Sequence, residues 1–246
     1  MRIASCLYVA SHLAVGFALA RGGRHDSLAM KREQAAKRDQ SSKVWCGAVK
    51  TADKVNVVEG TWIVPSISLP KGATGEKEYW SYQWVGIDGD TSSCQVLLQG
   101  GTGQTIIDGE VNTFGWYEFY PDPPVYAGMI IATNDTVYTK VEATSSTTGK
   151  ITIENVTTGE KKSFEVESKN GPLCQGSADW IQEFPVLPYA EFSDFSITNC
   201  SASTEGGRSL NLAGSENWYV PDGKGGKLCY ATENSDTSVA LHYNGN

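Results

Sequence analysis

The sequence predicts an all-β protein, a two-sheet antiparallel β-sandwich, on the basis of three observations. Apolar and polar residues alternate with a period of two over several segments, which is typical of strands with one buried face. Turn signals separate these segments, and 26 glycines among 246 residues suit many tight turns. No segment after residue 43 shows sustained helical periodicity, which disfavours a helical fold.

The first strand signals lie in the N-terminal third of the chain. They are short apolar or aromatic runs, the second ended by Pro65 and the third by an Asp-Gly turn signal. In chain order they are Val55–Val57, Trp62–Val64 and Tyr79–Ile87, the last followed by Asp88-Gly89-Asp90.

The clearest pattern lies between residues 136 and 167 and predicts a three-stranded meander. Its alternating runs and intervening turns are Val137–Ala143, Ser145–Gly149, Ile151–Ile153, Thr157–Gly159 and Phe164–Val166. One more alternating run, Val239–Tyr243, closes the chain. About 200 residues of such strands favour a concanavalin-like or lectin-like jelly roll.

Two N-terminal segments precede this β-rich body. Arg2 is followed by an apolar run over residues 3–20, which ends in Ala18-Leu19-Ala20. A positive start, a short apolar stretch and a small-x-small ending are the features of a secretory signal peptide. We therefore expect residues 1–20 to be removed and the product to be secreted, soluble and extracellular.

The net charge of −8 conceals an asymmetry between the segments. Residues 1–43 carry eight Lys or Arg against three Asp or Glu, whereas the remainder carries 12 against 25. We interpret residues 21–43 as a basic pro-segment that lies on an acidic cleft of the domain formed by residues 44–246. A domain with this negative charge repels phosphate groups, and we therefore expect no nucleic-acid partner. No apolar run after residue 20 is long enough to span a membrane, so we expect no membrane partner either.

The chemistry that the body lacks narrows the function. Its one histidine, His242, falls in the last alternating strand, which disfavours catalysis by a Ser-His-Asp or Cys-His arrangement. Clustered His and Cys ligands are missing, so we expect neither a metal nor a cofactor. Asp90-Thr91-Ser92 and Asp236-Thr237-Ser238 lack the glycine of an aspartic-protease loop. Carboxylate and amide groups remain as the usable chemistry.

Cysteines and glycosylation sequons fit the exported state. Five cysteines follow residue 20, and an oxidising compartment favours their pairing with one left over. The sequons at Asn134 and Asn155 border predicted turns, so we expect N-glycosylation there. A third sequon at Asn199 is a weaker candidate because its middle residue, Cys200, is a candidate for a disulfide.

Six segments in order resemble one protein family. They are Trp45–Ala48, Trp84–Asp90, Leu98–Gly100, Trp116–Pro121, Glu154–Gly159 and Ala178–Glu183. Together they resemble the eqolisins, the fungal glutamic peptidases that act in acid, and they span most of residues 45–200. The resemblance implies a β-sandwich fold, an endopeptidase acting on polypeptides and insensitivity to pepstatin. We expect a monomer.

The resemblance also implies a set of site residues. The catalytic pair corresponds to Gln99 and Glu183, and a family disulfide corresponds to Cys94 and Cys174. The positions lining the substrate groove correspond to Trp45, Asp88, Trp116, Glu118 and Tyr120.

The chemistry of the catalytic pair is sound for peptide hydrolysis. An ionised Glu183 takes a proton from water and later returns it to the leaving amine, which is typically worth about 10²–10⁴ in rate. Gln99 orients that water and donates its amide to the developing oxyanion. An unperturbed glutamate pKa of about 4.3 leaves Glu183 partly ionised in acid.

Several points depart from the family or stay open. Phe114 stands where the family has an acidic groove residue, which affects subsite preference. Cys200 and Cys229 form one plausible pair, with Cys46 free. Two rival functions are a sandwich glycosidase that uses Glu118 and Glu183 as its carboxylate pair, and a non-catalytic lectin-like binding module.

Overall fold

The computed structural model describes residues 39–73, 77–90 and 94–245. The predicted signal peptide and residues 21–38 of the predicted pro-segment lie outside the described residues. The described part of the chain is built from strands and turns, and it holds no helix that is long and apolar enough to cross a membrane. The all-β prediction is therefore confirmed.

Eighteen strands make up the described chain. In order they are β1 Asp39–Ser41, β2 Trp45–Thr51, β3 Val55–Ile63, β4 Ile67–Ser68, β5 Tyr79–Asp88, β6 Leu97–Ile107, β7 Glu110–Tyr120, β8 Val125–Ile130, β9 Thr136–Ala143, β10 Thr148–Asn155, β11 Glu160–Glu167, β12 Ser177–Glu183, β13 Glu191–Phe192, β14 Phe195–Thr204, β15 Ser209–Leu210, β16 Glu216–Pro221, β17 Lys227–Ser235 and β18 Ser238–Tyr243.

The strands do not form the two separate sheets of the predicted jelly roll. Sixteen of them join one hydrogen-bonded sheet, whose main path runs β11-β10-β9-β3-β14-β18-β17-β16-β2-β12-β5-β6-β7-β8. All pairings along this path are antiparallel, and β1 adds to β16 in parallel. The sheet stays continuous because β18, β17 and β16 pair in turn between β14 and β2.

The long sheet curls until its two halves face each other across one apolar core. Strands β3, β9 and β10 of one half pack against β5 and β6 of the other, with Val58, Val85, Leu98 and Ile151 among the fully buried contacts. Near the ends of the path, the Tyr117 ring of β7 stacks on the Phe164 ring of β11, with 4.2 Å between centroids. The result is a sheet that is nearly closed into a barrel-like shape.

The meander predicted from alternation is present as β9, β10 and β11. Val137 and Val141 on β9 and Ile151 and Ile153 on β10 are fully buried, whereas their sequence neighbours are more exposed. Period two identifies such strands because successive side chains leave opposite faces of the sheet.

A chain of buried polar groups joins β5, β6 and β12 on the core side of the sheet. Gln83 Nε2 donates to Ser81 Oγ (3.0 Å) and to Gln182 Oε1 (2.9 Å), and Gln182 Nε2 donates back to Ser81 Oγ (2.9 Å). Thr102 Oγ1 donates to Gln83 Oε1 and accepts from Trp62 Nε1, both at 2.9 Å. We call these five residues the amide brace. Since its members satisfy one another, burying them carries little penalty.

One of the two disulfide predictions is confirmed and the other is wrong. Cys94 pairs with Cys174 as expected. Cys229 pairs with Cys46 rather than with Cys200, because β2 and β17 lie close together and both sulfurs face the core. Cys200 is a free, fully buried thiol whose Sγ lies 3.3 Å from the Ile197 carbonyl oxygen. Burial raises its pKa to about 12.

The local structure bears on two further expectations. Asp39–Ser41, the last part of the predicted pro-segment, pairs with β16 of the domain, and the predicted boundary at residue 44 stays a prediction. Asn155 is fully buried, and its Nδ2 donates to the Ile130 carbonyl (3.1 Å) and to Asp135 Oδ2 (2.8 Å). Glycosylation replaces one of the two Nδ2 hydrogens and so removes one of these bonds, and the buried position of Asn155 therefore disfavours a glycan there. Asn134 is exposed in a turn and stays a prediction.

Candidate active site

A groove of about 970 Å³ runs over the face of the sheet that points away from the core. Its lining includes Trp45, Gln99, Trp116, Glu118 and Glu183, which come from β2, β6, β7 and β12. These strands are neighbours through β5, so residues far apart in sequence share one surface. The groove therefore brings together both members of the predicted catalytic pair and four of the five predicted substrate-binding residues, Tyr120 being the fourth.

Register explains how the Glu183 side chain reaches the groove. Glu183 is the last residue of β12 and lies between Trp45 on β2 and Tyr82 on β5. Its Oε2 accepts a hydrogen bond from Trp84 Nε1 at 2.8 Å. Burial raises the pKa of Glu183 to about 7, and hydrogen bonds from the Trp84 and Trp45 side chains act in the opposite direction. The ordinary pKa expected from sequence is therefore wrong.

Gln99 faces the groove on the neighbouring strand pair. It is 4% exposed, and its register partner on β7 is Glu118. Gln99 Nε2 donates to Glu118 Oε2 at 2.5 Å, which uses one of the two amide hydrogens. The Oε1 atom of Gln99 is buried and has no hydrogen-bond partner among the described residues.

The groove is acidic throughout its described lining. Its charged residues are Asp90, Glu118 and Glu183, and no Lys, Arg or His side chain is among the described residues that line it. Burial, together with the charge of Glu183, raises the pKa of Glu118 to about 7, although the hydrogen bond from Gln99 lowers it. Burial also raises the pKa of the Tyr82 hydroxyl, so that this group stays neutral. The groove loses most of its charge as the pH falls.

Aromatic rings form the walls of the groove. Trp45 packs edge-on against Trp84, with ring centroids 4.9 Å apart, and its ring is tilted against that of Trp218, with centroids 5.8 Å apart. On the opposite wall of the groove, the rings of Trp116 and Tyr82 pack together with centroids 4.8 Å apart. Rings supply apolar area and, through their N–H and O–H groups, a few polar contacts, which suits an extended peptide.

Strand β6 carries a glycine, Gly101, at the position between these walls. Gly101 lies directly opposite both Trp84 and Trp116. A Cβ atom added to Gly101 would come within 2.1 Å of the Gln83 carbonyl oxygen, so any other residue would force β5 and β6 apart. The glycine therefore keeps the floor of the groove flat.

Asp88 is not part of the groove, although it was predicted to bind substrate. It is fully buried, has a positive φ of 73°, and accepts hydrogen bonds from the Gln175 and Gly176 amides at 2.8 and 2.6 Å. Its role is to fix the chain just after Cys174. The turn reading of this residue is thus the one that its contacts support.

Tyr120 and Phe114 lie towards the rim of the site on β7. Tyr120 lines the groove and is half exposed. Phe114 packs edge-on against Tyr126 at 4.8 Å and against Tyr82 at 6.1 Å. The residue that replaces the acidic residue of the family thus extends the aromatic wall.

Sequence reasoning missed two functional candidates, Trp84 and Tyr82. Both lie on the aromatic run of β5, and alternation alone places them on one face. Their contact with Glu183 depends on the register between β5 and β12, which pairs Tyr82 with Glu183 and Trp84 with Ile181. The only available signal was the position of Trp84 at the head of the Trp-Val-Gly-Ile-Asp-Gly-Asp segment.

We expect Trp84→Phe to move the acid limb of the pH–rate profile to higher pH. Because the indole N–H stabilises the ionised form of Glu183, its loss makes the base harder to ionise. A hydrogen bond to a charged group is worth about 1.5–3 kcal/mol, so kcat/KM near pH 3 should fall roughly tenfold or more. Trp80→Phe, on the same strand but outside the groove lining, is the matched control. An unshifted limb in Trp84→Phe would contradict this role.

Comparison with known proteins places the chain in a family. The model of the peptidase A4 family matches residues 43–243. Aspergillopepsin-2 of Aspergillus niger is 33% identical over 190 residues, which cover 68% of this chain and 67% of that protein. Scytalidopepsin B of Scytalidium lignicola is 35% identical over 192 residues, covering 71% and 69%.

Solved structures agree with the sequence comparison. A crystal structure of scytalido-glutamic peptidase with a peptide-based transition-state analogue is 30% identical, has a TM-score of 0.70, and is matched over 99% of its length and 82% of this chain. Aspergilloglutamic peptidase from Aspergillus niger gives 32% identity, a TM-score of 0.61, and coverage of 99% and 68%.

A groove lined by both a half-buried glutamate and a glutamine, on a curled all-β sheet, defines a glutamic endopeptidase. The chain belongs to the peptidase A4 family, the eqolisins. Polypeptides are the substrates of this enzyme class, and none of these comparisons favours the glycosidase or the lectin-like module.

Proposed function

We propose that the chain cleaves polypeptides in acid by direct attack of water, with Glu183 as the base and Gln99 as the oxyanion donor. The observation that carries this proposal is that both side chains line one groove beside aromatic walls. The reaction needs a base and a neutral donor, and this pair supplies one of each.

In the first step, ionised Glu183 takes a proton from water while the water oxygen attacks the peptide carbonyl carbon. The carbonyl π pair moves to oxygen, and the Gln99 N–H that is not bound to Glu118 donates to that oxyanion. In the second step the oxyanion collapses, the C–N bond breaks, and Glu183 returns its proton to the leaving nitrogen. Glu118 holds the Gln99 amide in position throughout.

Activity in acid follows from two effects of pH that act in opposite directions, one on the ionisation of Glu183 and one on the stability of the fold. Ionisation of Glu183 favours higher pH, because its pKa is raised to about 7. The fold favours lower pH, since burial raises the pKa of several carboxyls and so disfavours their ionised forms in the folded state. We propose that the optimum lies where these trends cross, with a small ionised fraction of Glu183 carrying the reaction.

Asp179 is the strongest test of the stability trend. It is fully buried on β12, its Oδ1 has no hydrogen-bond partner among the described residues, and burial together with Asp90 and Asp88 raises its pKa. Below about pH 4 both the folded and unfolded states hold this proton. Above that pH only the unfolded state releases it, so stability falls by about 1.4 kcal/mol per pH unit until the raised pKa is reached.

We expect Asp179→Asn to be more stable than the parent protein at pH 6.5 and to differ little from it at pH 3. Urea unfolding at both pH values measures the difference, because asparagine fits the same space without ionising. Asp108→Asn, in an exposed turn, is the control and should leave the pH dependence unchanged. An equal effect of Asp179→Asn at both pH values would contradict the assignment.

The remaining elements of the proposal concern export. Two disulfides favour an oxidising compartment, which supports secretion behind the predicted signal peptide. We also propose that the basic pro-segment masks the acidic groove until it is removed, and that the mature enzyme is a monomer. Asn134 stays the proposed glycosylation site.

One assay tests the proposed function directly. Secreted protein is incubated with a denatured protein substrate between pH 2 and 7, with and without pepstatin. We expect cleavage that resists pepstatin and a kcat/KM that rises with pH on the acid side. Absence of cleavage at every pH by protein freed of its N-terminal segment would refute the proposal.

A further inference from the structure

A second, smaller hollow adjoins the groove on the side where β12 ends. Its volume is about 380 Å³. Most of its wall is the loop that follows Glu183, facing the chain before β2 and the end of β16. We call it the apolar hollow, and its defining residues are Val44, Pro185, Val186, Leu187, Tyr189 and Val220.

The lining of the hollow is suited to a hydrocarbon side chain. Lys43 is the one charged residue in its described lining. The Tyr189 hydroxyl, its main polar group, already donates to the Lys43 carbonyl at 2.5 Å. Pro185 and Pro221 have no backbone N–H to offer. With few unpaired polar groups, the hollow favours apolar ligands over polar ones.

The loop also exposes apolar side chains that the fold does not use. Leu187 is 74% exposed and Val186 is 44% exposed, side by side. Contiguous exposed apolar surface rimmed by polar residues commonly marks a binding site.

The hollow is continuous with the groove. Val44 and Pro185 belong to the lining of both, and the Phe184 amide donates to the Val44 carbonyl at 2.9 Å, which fixes this boundary next to Glu183. A peptide that lies extended along the groove past the general base therefore runs on towards the hollow.

We propose that the apolar hollow is a remote subsite that binds a leucine-sized side chain of the polypeptide substrate. The inference rests on the proposed function of the groove. Leu187 is four residues from Glu183, so at about 3.3–3.6 Å per residue it lies at most about 14 Å away. An extended substrate covers that distance in about four residues. The hollow therefore selects for an apolar residue within about four positions of the scissile bond.

The test uses a series of peptides with one fixed scissile bond and serine at the outer positions. Leucine replaces serine at one position at a time, from the second to the fifth residue on either side of the bond. We expect kcat/KM to rise about tenfold at one position, or at two adjacent ones, on one side only.

Variants then connect the preference to the hollow. In Leu187→Lys the ratio of leucine to serine peptides should fall to near one, because a charge at the rim opposes apolar burial. Leu187→Met should keep the ratio, as should Ile130→Lys, which alters a residue that is 83% exposed on β8.

Three outcomes would overturn the inference, and they differ from failure of the proposed function. A wild-type protein that cleaves the series with no positional preference would do so, as would a preference that survives in Leu187→Lys. A change of oligomeric state in Leu187→Lys, measured by sedimentation, would assign the hollow to a second copy instead. A wild-type protein that cleaves none of the peptides would count against the proposed function.

Discussion

Replacing Glu183 with glutamine should reduce kcat/KM by about 10³-fold or more while leaving the protein folded. The substitution preserves size and the contact with the indole of Trp84, but an amide cannot accept the proton of the attacking water. Positioned general base and acid catalysis is typically worth about 10²–10⁴ in rate, and Glu183 performs both steps in the proposed mechanism. Peptide cleavage at several pH values, with circular dichroism as a check of folding, measures the loss.

The control for this experiment is Glu165→Gln. Glu165 is exposed on β11, far from the groove lining, and the chemical change is identical. Activity should be retained in the control across the pH range. If Glu183→Gln keeps more than about a tenth of parent activity, a group other than Glu183 is the base.

The second large effect is expected for Gln99→Ala, with a loss of about 10²–10³ in kcat. Removing a single oxyanion donor commonly costs that much, and the amide donor is lost without any change of charge. The loss should fall on kcat more than on KM, because the oxyanion exists only after attack. Steady-state kinetics with one short peptide measures both.

Gln99→Ala also frees Glu118, which loses its hydrogen bond from the amide. Glu118→Gln separates the two effects, because it keeps a polar partner beside Gln99 without a titrating group. Gln40→Ala, an exposed glutamine on β1, is the matched control. Equal losses in kcat for Gln99→Ala and Gln40→Ala would remove Gln99 from the mechanism. A larger loss in Glu118→Gln than in Gln99→Ala would instead assign Glu118 a direct part in peptide hydrolysis.

The strands could be predicted because they depend on local pattern. Alternation from Val137 to Val166 identified the β9–β10–β11 meander, and the sites of Gln99 and Glu183 followed from residues that resemble a family. The path of the sheet could not be predicted. Whether β18, β17 and β16 join the two halves is decided by long-range pairing, which period two does not encode.

Long-range pairing also explains why individual residues were predicted wrongly from the sequence. Cys46 pairs with Cys229, 183 residues away in sequence, because β2 and β17 lie close together in the fold. Asn155 carries a sequon beside a turn, yet its side chain turns inward to hydrogen-bond Asp135. Burial raises the pKa of Glu183 because neighbouring strands exclude water, and residue type alone gives only the solution value.

The amide brace behind the groove has a consequence for an enzyme that meets changing acidity. Its donors and acceptors are amides, hydroxyls and an indole, and none of these groups gains or loses a proton between strong acid and neutrality. Glu118, Asp179 and Glu183 can therefore gain and lose protons while the spacing of β5, β6 and β12 stays constant. Loss of activity on neutralisation should thus begin with ionisation of the buried Asp179, and the hydrogen bonds between the three strands should be lost only afterwards.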